Sequence, residues 1–270
     1  MQKNLRRRAA WFSFVAALAI TGCETVQTTR GGAVGVDRPQ RMASFVSAEQ
    51  VDAAARQQYA QITSEAGKKG QLNTNAAQTE RVRAIAQRLI PHTAVFRDDA
   101  AKWKWEVNVL DVDQVNAWCM PGGKIAVYSG LIEKLKITDD ELAAVMGHEI
   151  AHALREHARE RMGRTVATGL GLSVIEVLTG VQLGDVGQAL AQSMFVLPNS
   201  RENEQESDRI GVELAARAGF DPRASVSLWN KMAKGGGGGP PQWLSTHPSH
   251  ETRIKDLQDY SQRVMPLYQK

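Results

Sequence analysis

The octapeptide VMGHEIAH at residues 145–152 limits the possible folds and functions of this chain more than any other segment. Two histidines, His148 and His152, stand four residues apart, and Glu149 directly follows the first. On an α-helix, side chains at positions i and i+4 lie on one face, so both imidazoles can reach one metal ion. The alternative is an ordinary surface helix that happens to carry two histidines.

The residues around this segment predict that it is helical. Thr138 and Glu141 have the spacing of a capping box, which marks a helix N-terminus. Apolar residues recur at positions 142, 145, 146 and 154, and we expect the helix to end near Gly163. Apart from the motif itself, the residues from Met146 to Leu154 are uncharged, which suits a buried metal site.

The chemistry of these side chains favours zinc. Neutral imidazole is a good zinc ligand. Zinc lowers the pKa of a water molecule that it binds to about 7, and a nearby carboxylate can then take the proton. Glu149, one step round the helix, is predicted to be this general base and then the proton donor to the leaving amine.

A third ligand is expected from a second helix, because a catalytic zinc usually has three protein ligands and one open position. In NSRENEQESDRIG, at residues 199–211, Glu204 and Asp208 are four apart and therefore share a face. We predict that Glu204 binds the metal. We predict that Asp208 accepts the free ring N–H of a ligand histidine and thereby fixes its tautomer.

Four motifs in this order resemble the HtpX/Oma-like, Ste-type zinc metallopeptidase family of the gluzincins: NAWCMPGGKIAVYSGLI, GHEIAHALREH, SRENEQESDRIG and STHPSHETRI. The resemblance is to the periplasmic lipoprotein branch of that family. It implies an α+β fold, a mostly helical zincin domain in which a small β-sheet forms one wall of the active-site cleft. It also implies metalloendopeptidase activity with one zinc ion per chain.

The same resemblance implies further site residues. A strand along the cleft would pair with an extended substrate backbone, and its residues are Asn116, Ala117, Trp118, Cys119, Met120 and Pro121. His247 and Arg253 resemble a late His and Arg near the metal, where they would stabilise the oxyanion. Alternatively, His247 would cap the open zinc position and keep the enzyme latent.

The first 22 residues resemble a bacterial lipoprotein signal, with four basic residues, a 12-residue apolar core and the sequence ITGC. This resemblance implies a lipid on Cys23. A plain signal peptide or an uncleaved anchor are the alternatives. Glu24, rather than Asp, favours the periplasmic side of the outer membrane over the inner membrane. We predict a flexible tether over residues 23–47 and the metallopeptidase domain over residues 48–270.

The charge of the chain argues against a nucleic-acid partner. The whole chain carries a net charge of +4, and four of its basic residues lie in the signal. The remainder is therefore balanced, and the basic character belongs to export.

The remaining elements are predicted from periodicity and turn residues. Helices are expected from residue 47 to Gly67 and from residue 75 to Pro91, and strands over residues 103–111 and on both sides of residues 121–123. The apolar segment 165–180 is expected to be a buried helix, and residues 235–241 a flexible loop.

Several polar residues are expected to lie outside the site. We predict that His157 is a surface residue and that Glu202 and Glu206 face solvent or Arg209. Cys119 is predicted to be a buried, apolar-like side chain rather than a nucleophile.

These observations favour a zinc endopeptidase that degrades misfolded or unassembled envelope proteins. Its expected partners are unfolded envelope polypeptides, the membrane through Cys23, and the outer-membrane assembly machinery. Two alternatives stay open: a chaperone or assembly factor in which proteolysis is secondary, and a lipoprotein with a purely structural metal.

Overall fold

A small mixed β-sheet divides the helices of this chain into two groups. The computed structural model describes residues 23–44, 46–167, 183–234, 243–248 and 251–269. The sheet contains β3 (Glu106–Leu110), β4 (Ala117–Met120) and β5 (Lys124–Tyr128), and a separate hairpin contains β1 (Cys23–Val26) and β2 (Gln40–Ala43). The predicted α+β, mostly helical fold is confirmed.

The α-helices begin and end as follows: α1 Ala48–Lys68, α2 Ala76–Leu89, α3 Ser129–Lys134, α4 Asp139–Leu154, α5 His157–Ala167, α6 Leu183–Phe195, α7 Arg201–Arg217, α8 Ala224–Lys234, α9 Trp243–Thr246 and α10 Glu251–Val264. Short 3-10 helices lie at Ile90–Val95, Ala100–Lys102 and Met265–Leu267. The predicted capping box of α4 is present, and a second one, Ser47 with Gln50, starts α1.

The central strand β5 pairs in parallel with β3 and antiparallel with β4. The predicted turn between the two antiparallel strands is confirmed, and Gly122 and Gly123 adopt φ values of 73° and 79° there. This left-handed region is readily available to glycine. A Cβ on Gly123 would lie 2.6 Å from the ring of Trp105.

Strand β4 is covered on both faces. Ala117 and Cys119 point into the main core, which contains residues of α4 and α7, while Trp118 and Met120 point into a second core with α1 and α6. This alternation is the two-residue period of a strand. Cys119 is therefore buried, as predicted. These contacts cover only the side chains of β4, because β4 is an edge strand of the described sheet and has a neighbouring strand on one side only.

Helices α4 and α7, which carry the HExxH and Glu204 motifs, pack against each other through two glycines. A Cβ on Gly147 would lie 2.8 Å from the carbonyl oxygen of Gly211, and a Cβ on Gly211 would lie 2.8 Å from the backbone nitrogen of His148. Real Cβ atoms do not approach so closely, so this crossing distance requires glycine at both positions.

The single helix predicted from Thr138 to Gly163 is wrong, because it breaks after Leu154. Glu156 adopts a positive φ of 50°, and α5 starts in a new direction at His157. A continuous helix would offer the carbonyl of Arg155 to the amide four residues later. Here that carbonyl accepts a hydrogen bond from the side chain of Gln40 instead.

Residues 23–44, named here the N-terminal strap, differ from the flexible tether predicted for residues 23–47. The strap forms the β1–β2 hairpin, and Val34, Val36 and Met42 are buried against the domain. Arg38 contributes ion pairs to Glu160 and Glu206. These apolar contacts could not be predicted from the composition of the segment, because its buried apolar residues are few and are not periodically spaced.

Some predicted segments lie outside the described residues: the signal at 1–22, most of the apolar segment 165–180, and the loop at 235–241. Within the described ranges, no helix combines the length and apolar content that a bilayer span requires.

Candidate metal centre

Four buried side chains from three parts of the chain converge behind β4. They are His148 and His152 of α4, Glu204 of α7 and His247, which follows α9. One ligand atom from each lies within 4.8 Å of all the others. The structure thus brings together the three predicted ligands and places the predicted late histidine among them.

The separations of these atoms fit one tetrahedral ion. Nε2 of His148 lies 3.0 Å from Nε2 of His152 and 3.2 Å from Nδ1 of His247. Oxygens of Glu204 lie 3.3 Å from His152, 3.6 Å from His148 and 3.0 Å from His247. Tetrahedral zinc with ligand bonds of about 2.0–2.1 Å separates its ligands by roughly 3.3 Å.

Asp208 lies beside His148, on the side of the ring that faces away from the cluster. Its Oδ1 lies 3.0 Å from Nδ1 of His148. A carboxylate only accepts hydrogen bonds, so Nδ1 carries the proton and the lone pair of Nε2 points into the cluster. Burial lowers the pKa of His148, but the hydrogen bond to Asp208 and the charge of Glu204 outweigh it, so the pKa is raised.

The Glu204 carboxylate is held ionised. Burial by itself raises the pKa of Glu204, but His247 and Arg253 outweigh it and hold the pKa well below its ordinary value. Nη1 of Arg253 lies 2.6 Å from Oε2, yet outside hydrogen-bond geometry, so Oε2 receives no hydrogen bond from the described residues. Arg253 thus neutralises Oε2, while Oε1 lies 3.0 Å from His247 and 3.3 Å from His152.

His152 is oriented by a residue that sequence reasoning missed. Nδ1 of His157 lies 2.9 Å from Nδ1 of His152, and Nε2 of His157 lies 3.1 Å from Oε2 of Glu206. The prediction that His157 is a surface residue is wrong, because it is fully buried. Burial holds the pKa of His157 and that of His152 well below their ordinary values, so both rings are neutral.

Glu206 also differs from its prediction. Instead of facing solvent it is buried, and it pairs with Arg38 and with Arg155, whose Nη2 lies 2.9 Å from Oε2 of Glu206. Glu202, one turn before Glu206 on α7, is exposed as predicted. The HExxHxxxxH spacing was visible in the sequence, but only the helix break brings the last histidine to the site.

The predicted general base, Glu149, lies beside the cluster. Nε1 of Trp243 donates a hydrogen bond of 2.7 Å to Oε1 of Glu149. Trp243 also stacks on the ring of His247, with centroids 4.5 Å apart and planes at 17°. Sequence reasoning missed Trp243, and its position two residues before the STHP motif was the available signal.

Arg253 lies in a different place from an oxyanion-stabilising residue. Its Nε and Nη2 donate to the two oxygens of Asp208, each at 2.7 Å, and its guanidinium stacks 4.0 Å above the ring of Trp229. It is absent from the cavity lining and holds the carboxylates from behind. The geometry therefore gives Arg253 a positioning function.

A cavity of about 190 Å³ opens beside the cluster. Its lining includes Glu149, His152 and His247 from the cluster side, Asn116 to Cys119 from the β4 side, and Arg161 of α5. The first four of the six predicted substrate-strand residues therefore share one cavity with the predicted base, whereas Met120 and Pro121 do not line it.

The residues present fit zinc. Asp208 and His157 each engage a ligand histidine on its outer nitrogen, so the lone pairs of two Nε2 atoms face each other across 3.0 Å. Such a contact is repulsive unless a proton or a metal ion lies between the nitrogens. Three imidazoles and a carboxylate are also donors that zinc prefers.

Comparison with known proteins agrees with this geometry. The sequence pattern of peptidase family M48 matches residues 76–261, more than half of the chain and the range that contains all four cluster residues. The mitochondrial metalloendopeptidase OMA1 of Arabidopsis thaliana is 39% identical over 154 residues, which are 57% of this chain and 31% of that protein.

Two further relatives show the same partial overlap. The mitochondrial metalloendopeptidase OMA1 of Bos taurus is 39% identical over 167 residues, 57% of this chain and 32% of that protein. The beta-barrel assembly-enhancing protease of Escherichia coli (strain K12) is 26% identical over 200 residues, 70% of this chain and 40% of that protein. The chain thus spans about a third of the length of these curated relatives.

Proposed function

The chain belongs to peptidase family M48, and from this premise we propose that it is a zinc-dependent endopeptidase that cleaves unfolded or misfolded polypeptides in the bacterial cell envelope. The observation that carries the proposal is the position of Glu149. Its carboxylate lines the same cavity as the ligand cluster and the edge strand β4.

His148, His152 and Glu204 would hold the zinc ion. Zinc, when bound, supplies a Lewis acid that activates water and polarises the scissile carbonyl. Trp243 engages Oε1 of Glu149, so we assign proton transfer to Oε2. Glu149 Oε2 takes a proton from the attacking water and passes it to the nitrogen of the leaving amine.

The substrate backbone would pair with the free edge of β4. The amide of Tyr128 donates to the carbonyl of Asn116, which makes these two residues a hydrogen-bonded pair of the ladder. Since such pairs alternate, the main-chain groups of Ala117 and Cys119 turn outward, toward the sheet edge. The Ala117 amide donates 2.9 Å to Oδ1 of Asn116, so a substrate carbonyl would have to replace that side chain as the acceptor. Recognition through main-chain hydrogen bonds makes little demand on substrate sequence, which suits cleavage of unfolded chains.

His247 would hold the enzyme latent. Its Nδ1 lies among the ligand atoms, 3.2 Å from His148 and 3.0 Å from Glu204, and its Nε2 lies 3.5 Å from Oε1 of Glu149. The ring thus fills the position that a catalytic zinc keeps open for water and substrate. This arrangement favours the latency role of His247 over the oxyanion role.

The envelope location rests on the signal-like N-terminus and Cys23. We place the chain on the periplasmic side of the outer membrane, with a lipid on Cys23. The name of one relative, a beta-barrel assembly-enhancing protease, supports a role with outer-membrane assembly. It also favours the second candidate function, a chaperone or assembly factor for outer-membrane proteins.

The test is digestion of denatured casein by the zinc-loaded mature chain. We expect wild type to cleave it, chelation to stop cleavage and added zinc to restore it. Glu149→Gln should retain zinc and lose cleavage. If zinc-loaded wild type leaves casein intact, the peptidase proposal is rejected. If Glu149→Gln still prevents aggregation of an unfolded outer-membrane protein, the chaperone function gains support. Cys23→Ser should move the protein from membrane to soluble fractions without changing cleavage.

A further inference from the structure

We propose that the N-terminal strap is a positioning element of the metal centre, which acts on His152 through Arg38, Glu206 and His157. The inference rests on the proposed zinc site. The strap precedes residues 76–261, which match the family pattern, so the proposal concerns a part of this chain that the family comparison does not cover.

The first step is the contact between two histidines. Glu206 accepts a hydrogen bond from Nε2 of His157, so this nitrogen carries the proton of the neutral ring. Nδ1 of His157 is then an acceptor, and the facing Nδ1 of His152, 2.9 Å away, must donate. His152 is thereby fixed in the tautomer whose Nε2 lone pair points at the cluster.

The second step is the charge that holds Glu206. This carboxylate is buried on α7, and a buried carboxylate needs cationic partners to remain in place. Arg38 of the strap contacts Oε1 of Glu206 through Nε and holds Glu160 through Nη1 at 2.8 Å. Arg155 donates through Nε to Oε2 at 3.0 Å.

The third step is the attachment of the strap itself. Arg155 donates 2.8 Å to the carbonyl of Arg38 and 3.1 Å to the hydroxyl of Thr29. Further along, the amide of Val34 donates 2.9 Å to Oε2 of the buried Glu213 on α7. The strap is thus bound both to the break between α4 and α5 and to α7, which are the elements that carry the ligands.

These contacts make the strap the outer end of a hydrogen-bonded chain that runs Arg38, Glu206, His157, His152. It mirrors the shorter chain Arg253, Asp208, His148 on the other side of the cluster. Outer partners of this kind typically contribute roughly 10- to 100-fold to metal affinity. Arg38 is separated from the ligand His152 by both Glu206 and His157. Its contribution to metal affinity is therefore expected to be smaller, on the order of several-fold.

The experiment measures zinc affinity of the detergent-solubilised mature chain by competition with a chromophoric chelator. The absorption band of the cobalt-substituted protein serves as a second readout. We expect His157→Leu to weaken zinc binding roughly 10- to 100-fold. His157→Asn should recover most of the affinity, because its Oδ1 replaces Nδ1 as the acceptor. Arg38→Gln should weaken binding several-fold and shift the cobalt band.

The matched control is Arg30→Gln. Arg30 belongs to the same strap but pairs with Asp98 at the surface, away from the cluster. Zinc affinity and the cobalt band should stay at wild-type values in this variant. Equal zinc affinities for Arg38→Gln and Arg30→Gln would overturn the role of the strap. If His157→Leu does not fold, the comparison of the two arginine variants decides. Zinc affinity is measured independently of cleavage. A wild-type protein that binds zinc but cleaves nothing would therefore contradict the peptidase proposal and leave the proposal about the strap standing.

Discussion

The indole N–H of Trp243 lies 2.7 Å from Oε1 of Glu149, and the same indole stacks on His247. One side chain therefore contacts both the residue assigned as base and the residue that fills the fourth position of the cluster. The backbone amide of Trp243 donates 3.2 Å to the carbonyl of Val115, directly before β4. Trp243 thus connects the base to the wall of the cavity on which substrate would bind.

Trp243→Phe should lower kcat with little change in zinc content. Phenylalanine keeps the stack on His247 but removes the donor to Glu149. A hydrogen bond to a charged group contributes about 1.5 kcal/mol, which corresponds to roughly tenfold in rate. Steady-state cleavage of a fluorogenic peptide measures the change. Trp229→Phe is the control, since Trp229 packs on Trp243 without reaching Glu149. Equal kcat values for the two variants would show that the hydrogen bond does not orient the base.

His247→Ala should raise cleavage and weaken zinc binding. Removing a side chain that occupies the fourth position increases the fraction of molecules that can bind substrate. If one wild-type molecule in ten has this position free, the cleavage rate should rise about tenfold. Initial rates and zinc affinity are measured on the same preparation. Asn199→Ala should act in the same direction but less, because Asn199 Nδ2 lies 3.3 Å from Nδ1 of His247. Slower cleavage at unchanged zinc affinity would instead assign His247 to the oxyanion.

Gly211→Ala should lower both stability and zinc affinity. The added methyl group meets the backbone of α4 at His148, so α7 must shift away and carry Glu204 with it. Overpacking of this kind destabilises by about 1–3 kcal/mol. Urea unfolding and chelator competition measure the two effects. Gly187→Ala is the matched control, because a Cβ there would meet only the end of the Gln58 side chain, at 3.5 Å. Wild-type zinc affinity in Gly211→Ala would mean that the crossing distance does not position the ligands.

Glu141→Gln should destabilise the metal-free protein by about 1 kcal/mol at pH 7. Burial raises the pKa of Glu141, but Lys231, 2.6 Å away, and the Thr138 amide outweigh it and lower the pKa. Because the pKa of Glu141 is lower in the folded protein than in the unfolded chain, its ionised carboxylate stabilises the folded state above about pH 4.3. This stabilisation is lost as the pH falls through the pKa of the folded protein.

Urea unfolding from pH 7 to pH 3 in the presence of chelator tests this expectation. The difference between wild type and Glu141→Gln should shrink in acid. Glu80→Gln, an exposed partner of Arg83, should match wild type throughout. If the difference in unfolding free energy between wild type and Glu141→Gln instead grew as the pH fell, the pKa of Glu141 would not be lowered in the folded protein.

The parts of the site that follow a helical period could be predicted from the sequence. His148 and His152 are four residues apart on one face of α4, and Glu204 and Asp208 are four apart on one face of α7. The resemblance carried by four motifs is confirmed at the level of peptidase family M48. His157 and Glu206 could not be predicted in this way. The position of His157 depends on a helix break that the distant residue Gln40 stabilises. The burial of Glu206 depends on its ion pairs with Arg38 and Arg155, and no local pattern encodes such contacts.

The orientation of Arg253 also could not be predicted from the sequence, for a different reason. Its place near the metal was implied by resemblance, but the direction of its guanidinium depends on Asp208 and on the ring of Trp229. Long-range packing decides which side of a cluster an arginine occupies, and a motif gives only its proximity.

The β1–β2 hairpin limits how far the domain can lie from a lipid on Cys23. As an extended tether, residues 23–47 would let the domain move up to about 80 Å from an anchoring lipid. In the structure Cys23 is instead paired with Ala43 at the surface of the domain, so almost none of that length is available. An acyl group on Cys23 would hold the catalytic cavity at a nearly constant height above the bilayer. Only polypeptides that emerge within that shallow zone would then meet the enzyme.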